Sequence, residues 1–440
     1  MSSTAGRVAH YLDELFGTSL PIRIRMWDSS VAGPSDGVAV TLRSPAALRH
    51  LLWAPGELGA ARAYVSGELD VEGDLERGLR RVIAALDGRH PRITARSART
   101  GMKLLASLGA LGVRPPVPAT EARPEGRRHS RARDAQVVRH HYDLSNDFYR
   151  LLLDPTMAYS CGYWTSDDPG YGVADAQRDK LDLICRKLDL RPGSRLLDIG
   201  CGWGALTVHA AREYGAAVTA VTIAEEQHAH VGERVRAEGM GHLVDLRLAD
   251  YRDVLARADG HFDAVCAVEM GEHVGDEGYP AFVAGLYRSL RPAGRFLLQV
   301  MSRGGRNPGG GPFIERYVAP DMHMRPLPDT LSLITAGGFE VRDVHVLREH
   351  YARTIRAWYE VLERRHAEVV GLIGAEQARV WRLYLAGGAL AFEDGRMGVD
   401  QILSVRPGPR GFSGMEATRV GWDQVGHRGA PNPVPALRSP

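Results

Sequence analysis

The sequence has few cysteines, no long apolar run and little excess charge of either sign, and each shortage excludes a class of protein. Its four cysteines, among 440 residues, stand at irregular spacings, so neither a disulfide framework nor a metal cluster is expected. No segment approaches the ~20 consecutive apolar residues that cross a bilayer. The beginning of the chain lacks the basic and apolar regions of a secretory signal. We therefore expect a reduced, cytoplasmic protein without a metal site.

The remaining composition is that of a globular protein, with 44% hydrophobic and 25% charged residues. The net charge of +2 conceals an uneven distribution. Residues 88–133 contain eleven basic and two acidic side chains, a local charge of +9, which leaves −7 on the rest of the chain. Such a segment is typical of a solvated linker, and it is also what an anionic membrane surface or a nucleic acid would bind.

The sequence patterns divide the chain into four parts. Residues 1–110 predict a small α/β domain. Residues 111–135 are rich in proline, arginine and alanine without an apolar period and predict a basic linker. Strands and helices alternate over residues 136–407, which predicts a doubly wound parallel sheet. Residues 408–440 are rich in glycine and proline and predict a partly disordered tail.

The strand predictions rest on short apolar or alternating runs bounded by turn residues. In the first domain a helix is expected to begin at Ser44 and Pro45, a capping residue followed by the residue favoured in a first turn. Strands are predicted at 22–27 and 38–43 in the first domain, and at 195–199, 217–221, 244–248, 264–268, 294–300, 340–347 and 403–406 in the second.

The most specific local motif is LLDIGCGWG at residues 196–204, where a buried strand leads into alternating glycines and then a helix. Glycines let the backbone turn tightly beside a ligand, and a helix N-terminus offers free N–H groups. A dinucleotide site or a purely structural turn would use the same glycines. The carboxylate before them favours S-adenosylmethionine, which has an ammonium group and no pyrophosphate. We therefore predict that Asp198, Gly200 and Gly202 bind this cofactor.

Two later segments supply further candidates for the same sheet edge. Thr222 ends the next predicted strand and Gln227 lies on the helix after it, whereas the acidic residue that often ends this strand to bind a ribose is missing. Asp250 follows a third strand and is predicted to bind an adenine amino group, with Tyr251 as an apolar wall. An aspartate in that place is also typical of a helix cap. The four residues support one another by their order and spacing.

Segments around these motifs resemble the cyclopropane-fatty-acyl-phospholipid synthase family, which includes the mycolic acid cyclopropane synthases. The resemblance covers residues 136–407 and rests on HHYDLSNDFYRLLLDPTMAYSCGYW, LDIGCGWG, VTIAEEQ, EMGEHVG, PFIERYVAPD and HYARTIRAWYE. Residues 1–110 and the linker resemble the amino-terminal extension of members that act on phospholipids. The resemblance implies a Rossmann-like, seven-stranded class I methyltransferase domain with a smaller, lipid-binding-like α/β domain before it.

The resemblance also implies a reaction. A methyl group is transferred from S-adenosylmethionine to the double bond of an unsaturated fatty acyl chain of a membrane phospholipid, and a proton is then lost to a bound bicarbonate. Tyr159 and Ser160 are implied to contact the cofactor. The catalytic positions that the resemblance implies are Cys161, Glu272, Gln299 and Tyr351. Glu269, in the same turn as Glu272, is a weaker candidate for a residue near the cofactor.

Gln299 stands where the family has a histidine, and Met301 stands where it has an isoleucine. Glutamine donates hydrogen bonds but takes up no proton near neutral pH. Either a bicarbonate site persists with altered hydrogen bonding, or the proton is removed by another route. Loss of a proton from the added methyl carbon closes a cyclopropane ring. A hydride shift and loss of a different proton gives a methylene-branched chain, which a partner reductase would convert to a methyl branch.

The partners expected from these observations are unsaturated phospholipid acyl chains and an anionic membrane surface. We expect no nucleic acid, because no aromatic residues interleave with the arginines of the basic segment. A peripheral enzyme at the inner membrane surface follows, and a homodimer is compatible with the family. Two rival functions are a small-molecule or RNA methyltransferase and a lipid-binding module without activity.

Overall fold

Two β-sheets organise the structure, a computed structural model that describes residues 3–86, 88–142, 144–257, 259–304, 308–420 and 422, without the side chains of residues 139–142. A four-stranded sheet lies in the first part of the chain and a seven-stranded sheet in the second. Helices pack on both sheets.

The small sheet is built from β1 (Ile22–Arg25), β2 (Val31–Ala32), β3 (Val38–Leu42) and β4 (Leu69–Val71). The strand order is β2-β1-β3-β4, with β1 and β3 parallel. The helices of this part are α1 (Thr4–Phe16), α2 (Pro45–Trp53), α3 (Glu57–Val65), α4 (Leu75–Leu86) and α5 (Ala95–Ser107). Ser44 Oγ accepts a hydrogen bond from Ala46 N at the start of α2, so the predicted helix start is confirmed, as are both predicted strands.

The large sheet is built from β5 (Arg195–Ile199), β6 (Ala217–Thr222), β7 (Val244–Leu248), β8 (Phe262–Val268), β9 (Leu290–Arg303), β10 (Glu340–Val346) and β11 (Met397–Val405). The strand order is β10-β11-β9-β8-β5-β6-β7. β11 runs antiparallel to β9 and β10, whereas β9, β8, β5, β6 and β7 are parallel. This is the predicted Rossmann-like, seven-stranded class I methyltransferase sheet, preceded by the smaller α/β part.

The helices of the second part lie on both faces of the large sheet, so its central strands are buried on both sides. They are α6 (Arg131–Tyr142), α7 (Asn146–Leu152), α8 (Val173–Lys187), α9 (Ala205–Tyr214), α10 (Glu225–Ala237), α11 (Tyr251–Ala256), α12 (Tyr279–Ser289), α13 (Leu327–Ala336), α14 (Arg348–Arg364), α15 (His366–Ile373) and α16 (Ala375–Glu393). A 3-10 turn spans Gly271–His273 and a π-helical turn spans Ile314–Val318.

All seven strands predicted for the second part are present, five of them within two residues of the predicted limits, and two differ by more. β9 extends from Leu290 to Arg303, beyond the predicted 294–300, and β11 begins at Met397, six residues before the predicted 403–406. The two strands pair continuously from Met397 with Arg303 to Val405 with Arg295. The ladder of hydrogen bonds between them therefore stabilises strand residues that have no local strand pattern.

The segment predicted as a basic linker is attached to the rest of the chain at its carboxyl end. α6 begins at Arg131, so a helix occupies the last residues of the predicted linker, 111–135. Arg131 forms a bidentate ion pair with Asp253, and Arg127 pairs with Glu277. The contacts with distant acidic residues hold the segment in place and compensate much of its positive charge.

The carboxyl-terminal tail is described only for residues 408–420 and 422, and the rest of the predicted 408–440 lies outside the described residues. Trp422 packs against the core beside β5 and α8. Among the described residues, no helix combines the length and the apolar composition that crossing a membrane requires.

Candidate active site

The glycine loop after β5 forms the floor of a cavity at the carboxyl edge of the large sheet. Gly200 and Gly202 have φ angles of 78° and 54°, which residues with a side chain rarely adopt. A Cβ atom at Gly200 would lie 2.8 Å from Met270 Cγ. Position 200 therefore requires glycine both for its backbone conformation and for the space that the cavity needs.

All nine residues predicted to bind the cofactor line this one cavity. Its walls also include Lys180, Trp203, Glu269 and His273. The nine are Tyr159, Ser160, Asp198, Gly200, Gly202, Thr222, Gln227, Asp250 and Tyr251. Tyr159 and Ser160 lie in the loop before α8. The other seven lie at or just after the ends of β5, β6 and β7, parallel strands that meet at one edge, and this is why local motifs locate the cavity well.

Asp198 is the buried carboxylate of this cavity. Thr207 Oγ1 donates a hydrogen bond to Asp198 Oδ2 at 2.7 Å. Burial raises the pKa of Asp198 to about 6, against the opposing effects of Thr207 and Lys180. A ligand with an ammonium group fits this environment, because a cation beside the carboxylate favours its ionised form.

Three of the cofactor candidates also have structural roles. Thr222 Oγ1 donates to Gln227 Oε1 at 2.9 Å and accepts from Ala224 N. Asp250 caps α11 by accepting from Arg252 N, and the Arg252 guanidinium binds the same carboxylate. The capping interpretation of Asp250 is therefore confirmed, and the residue lines the cavity as well.

At the other end of the cavity, three of the four predicted catalytic residues meet at a fifth residue, Glu269. Cys161 N and Gln299 Nε2 each donate to Glu269 Oε1 at 2.8 Å. Tyr351 OH donates to Glu269 Oε2 at 2.6 Å. Glu269 follows β8, whereas its partners come from the loop before α8, from β9 and from α14. The sequence placed Glu269 only as a weaker candidate, and the structure makes it the centre of the cluster.

The thiol of Cys161 is not suited to act as a nucleophile. It is fully buried, and burial and the charge of Glu269 raise its pKa well above the usual value. A thiol that stays protonated is unreactive. The group of Cys161 that contacts the cluster is its backbone N–H, so the position acts through its main chain.

Glu272, the fourth predicted catalytic residue, lies beside the cluster without joining it. Met301 N donates to Glu272 Oε1 at 2.6 Å. Glu272 Oε2 has no hydrogen-bond partner among the described residues. Burial and the charge of Glu269 raise the pKa of Glu272 to about 8, so this side chain is mostly a neutral acid at neutral pH.

Two polar residues of the site carried no motif in the sequence. Lys180 is buried on α8, lines the cavity and donates from Nζ to Ser160 Oγ at 2.9 Å. Gln401 on β11 is fully buried and donates from Nε2 to Gln299 Oε1 at 3.0 Å. The available signal was a charged or amide residue on an otherwise apolar face, with Lys180 one of only three lysines in the chain.

Aromatic side chains line the space next to the cluster around Glu269. Tyr159 lies against Trp358 and Trp381, with ring centroids 5.3 and 5.9 Å apart. Tyr159 OH donates to Tyr384 OH at 3.2 Å. Tyr384 and Trp381 line a second, smaller cavity with Leu144, Tyr317, Val318, Gln377 and Val380. Tyr159, which lines the cofactor cavity, therefore also contacts aromatic side chains of α14 and α16.

Comparisons with known proteins agree with this geometry. The profile of the family described as mycolic acid cyclopropane synthetase matches residues 129–402. A probable fatty acid methyltransferase of Pseudomonas putida is 38% identical over 411 residues, which cover 91% of this chain and 95% of the relative. A tuberculostearic acid methyltransferase of Mycobacterium tuberculosis is 33% identical over 426 residues, which cover 93% of each chain.

A solved structure of the same family superposes on the second part of the chain. The mycolic acid cyclopropane synthase CmaA1, in complex with SAH and CTAB, has a TM-score of 0.57 and 32% identity, and the match covers 62% of this chain and 98% of that one. The sheet order, the glycine loop and the extent of the family match lead to one conclusion. The chain belongs to the mycolic acid cyclopropane synthetase family and is an S-adenosylmethionine-dependent methyltransferase.

Proposed function

We propose that this enzyme methylates a carbon–carbon double bond in the unsaturated acyl chains of membrane phospholipids, with cyclopropane fatty acids as products. The observation that carries the proposal is the cluster around Glu269, which joins three of the implied catalytic positions at the wall of the cofactor cavity, with aromatic side chains beside it. S-adenosylmethionine supplies the methyl group when bound. The relatives named as fatty acid methyltransferases support a fatty acyl substrate.

The residues of the site would position the reactants and exclude water. Asp198 binds the cofactor's ammonium group, while Asp250 and Tyr251 contact the adenine. Tyr159 and Trp203 present aromatic rings to the cavity, and ring faces favour positive charge on an acyl chain that has accepted a methyl group. An alkene is a weak nucleophile, so its alignment and the exclusion of water are the main contributions expected from the protein.

A methylene-branched product is the second candidate. The relative named tuberculostearic acid methyltransferase matches this chain along 93% of its length, and Gln299 replaces the histidine that the family resemblance implies. Both products share the first step and differ in whether a hydride shifts before a proton leaves. A separate reductase would be the expected partner of an enzyme that makes the methylene-branched chain.

Expression in a host whose phospholipids contain oleate tests the proposal. Mass spectrometry of the fatty acids should show a gain of one CH₂ with no unsaturation left in the cyclopropane, or with one double bond left in the methylene-branched chain. An unchanged lipid profile in cells that contain folded enzyme would contradict both products. A small-molecule or RNA methyltransferase would leave this profile unchanged, and so would a module without activity.

We further propose that the enzyme binds an anionic membrane surface through the amino-terminal part. The arginines of residues 127–133 are engaged with acidic side chains, since Arg128 and Arg133 both pair with Asp321, in addition to the two pairs described above. By contrast, Arg96, Arg99 and Lys103 form a basic stripe on the exposed face of α5, and no ion pair of the described residues includes them. Ile93, next to this stripe, is 70% exposed. Exposed basic groups on a helix, next to an exposed apolar side chain, are typical of an interfacial surface.

Sedimentation with vesicles of phosphatidylglycerol and phosphatidylcholine tests this surface. Replacing all three residues of the basic stripe with glutamine should weaken binding on the order of 100-fold, from about 1 kcal/mol for each charge. Added salt should also weaken the binding of the wild-type enzyme to these vesicles. The matched control replaces Arg127 and Arg131, which have ion-pair partners. Binding that depends on the control pair but not on the basic stripe would contradict the proposal.

A further inference from the structure

The carboxylate of Glu269 has the environment of an ionised base. Oε1 accepts from Cys161 N and from Gln299 Nε2, and Oε2 accepts from Tyr351 OH. Three donated hydrogen bonds favour the ionised form of a carboxylate, because the protonated form would have to give up one of them. Gln401 holds the amide of Gln299 with its NH₂ group toward Glu269. The Gln299 amide is therefore held with its N–H group, and not its carbonyl oxygen, toward Glu269.

The charges around Glu269 divide the roles of two carboxyl groups, Glu269 and the fully buried Glu272. Burial raises the pKa of Glu269, and the donors Tyr351, Cys161 and Gln299 and the buried ammonium of Lys180 oppose that effect. Glu272 has a single donor, and its pKa is raised to about 8 by burial and by the charge of Glu269. Two neighbouring carboxyl groups in unlike environments serve as one charged and one neutral group.

The backbone places the Glu269 side chain in the cavity. The residue directly follows β8 at the carboxyl edge of the sheet and lines the cavity together with Asp198 and Ser160. Its φ angle of 50° lies in the left-handed region, which a residue with a side chain adopts at a cost in free energy. Such strain is retained where the surrounding contacts require the conformation. Here the three hydrogen bonds to the carboxylate hold the residue in this conformation.

The same geometry does not fit a bound bicarbonate. The family resemblance implies a bicarbonate held by five positions, which are Cys161, Glu272, Tyr351, the side chain at position 299 and the backbone at position 301. Met301 N–H already donates to Glu272. Cys161 N–H and the Tyr351 hydroxyl each have one proton to donate, and both protons are directed to Glu269. An anion at this point would also meet the charge of Glu269. The Cys161 and Tyr351 donors that the resemblance assigns to a bicarbonate are thus engaged by a side chain of the protein.

We propose that the Glu269 carboxylate, in place of a bicarbonate, is the base that removes the proton from the methylated acyl chain. This inference rests on the proposed function. The double-bond electrons form the new bond to the methyl carbon, and the electrons of the broken carbon–sulfur bond stay on sulfur. The electrons of the lost C–H bond then close the ring or, after a hydride shift, form the methylene double bond. The proton goes to Glu269 Oε2 and later to water.

The test compares the wild type with Glu269→Gln and Glu269→Gly in phospholipid methylation, in buffers freed of carbon dioxide. The wild type should have the same rate with and without added bicarbonate. Both variants should lose at least 100-fold in rate, as expected when a positioned base is removed. S-adenosylhomocysteine binding by calorimetry should stay close to that of the wild type. Asp400→Asn, which changes a buried carboxylate bound to Ser302 outside the cavity, serves as the matched control.

The glycine variant sharpens the test, because glycine tolerates the positive φ and leaves room for a small anion. Formate or bicarbonate at constant pH should restore part of its rate and make it dependent on added anion. Loss of the wild-type methylation activity in the absence of bicarbonate would overturn the inference. A normal methylation rate in the Glu269→Gln variant would overturn it too. A glycine variant that binds S-adenosylhomocysteine normally but is not rescued would also overturn it. If the wild type methylates no phospholipid, the proposed function itself fails.

Discussion

The two ends of the cavity differ in how their residues are distributed along the chain. At the cofactor end, Asp198, Gly200 and Gly202 lie within five residues, and Thr222, Gln227, Asp250 and Tyr251 follow in sequence order at successive strand ends. At the chemical end, Cys161, Glu269, Gln299 and Tyr351 come from four separate elements and meet through hydrogen bonds. Local motifs therefore describe the first end well and the second end incompletely.

The largest expected effect is at the cofactor end. Gly200→Val should abolish S-adenosylhomocysteine binding in calorimetry, because its Cβ would lie 2.8 Å from Met270 Cγ and its φ is 78°. Gly239→Val is the matched control, since Gly239 has a φ of 69° but no atom within 4 Å of the added Cβ. The control should lose stability and keep its affinity. Equal losses of affinity in both variants would mean that backbone strain alone explains the effect.

The next effect is at the chemical end. Tyr351→Phe removes one donor from Glu269 and keeps the ring that packs on Phe392. A hydrogen bond to a charged group contributes about 1.5–3 kcal/mol, so the turnover rate should fall about 10- to 100-fold, with S-adenosylhomocysteine affinity unchanged. Tyr279→Phe is the control, because the buried Tyr279 hydroxyl has no hydrogen-bond partner in the part of the chain that the structure describes. A loss of S-adenosylhomocysteine affinity in Tyr351→Phe would mean that the two ends of the cavity are energetically coupled.

A smaller effect distinguishes the two ends by pH. Burial raises the pKa of Asp198 to about 6, and the cofactor's ammonium favours the ionised carboxylate. S-adenosylhomocysteine affinity should therefore rise about tenfold between pH 5 and pH 7, with release of protons on binding. Calorimetry in buffers of different ionisation enthalpy measures both quantities. Asp198→Asn should remove the dependence, and a variant that retains the slope would assign it to another group.

The smallest expected effect is on the product rather than the rate. Gln299→His replaces the amide that joins Gln401 to Glu269 with a ring that cannot make both contacts in the same way. The carboxylate should move, and mass spectrometry should find a larger cyclopropane fraction than in the wild type. An unchanged product ratio would mean that Gln299 does not influence which product forms.

Much of the fold followed from local patterns. The strands of the large sheet were predictable because parallel strands buried on both faces consist of short apolar runs. The early start of β11 at Met397 was not, because those residues are ordered by pairing with β9. The charge of residues 88–133 was visible in the sequence, but its compensation by Asp253 and Glu277 depended on residues more than 100 positions away.

The sequence by itself determined the methyltransferase sheet, the cofactor end and the family, because each depends on residues that are close in the chain or on segments specific to that family. Only the tertiary structure decided that Glu269 is the centre of the chemical end and that Lys180 and Gln401 support it. These roles arise from burial and from hydrogen bonds across elements. The physical reason is that the pKa of a carboxyl group and its freedom to act as a base are set by its neighbours in space.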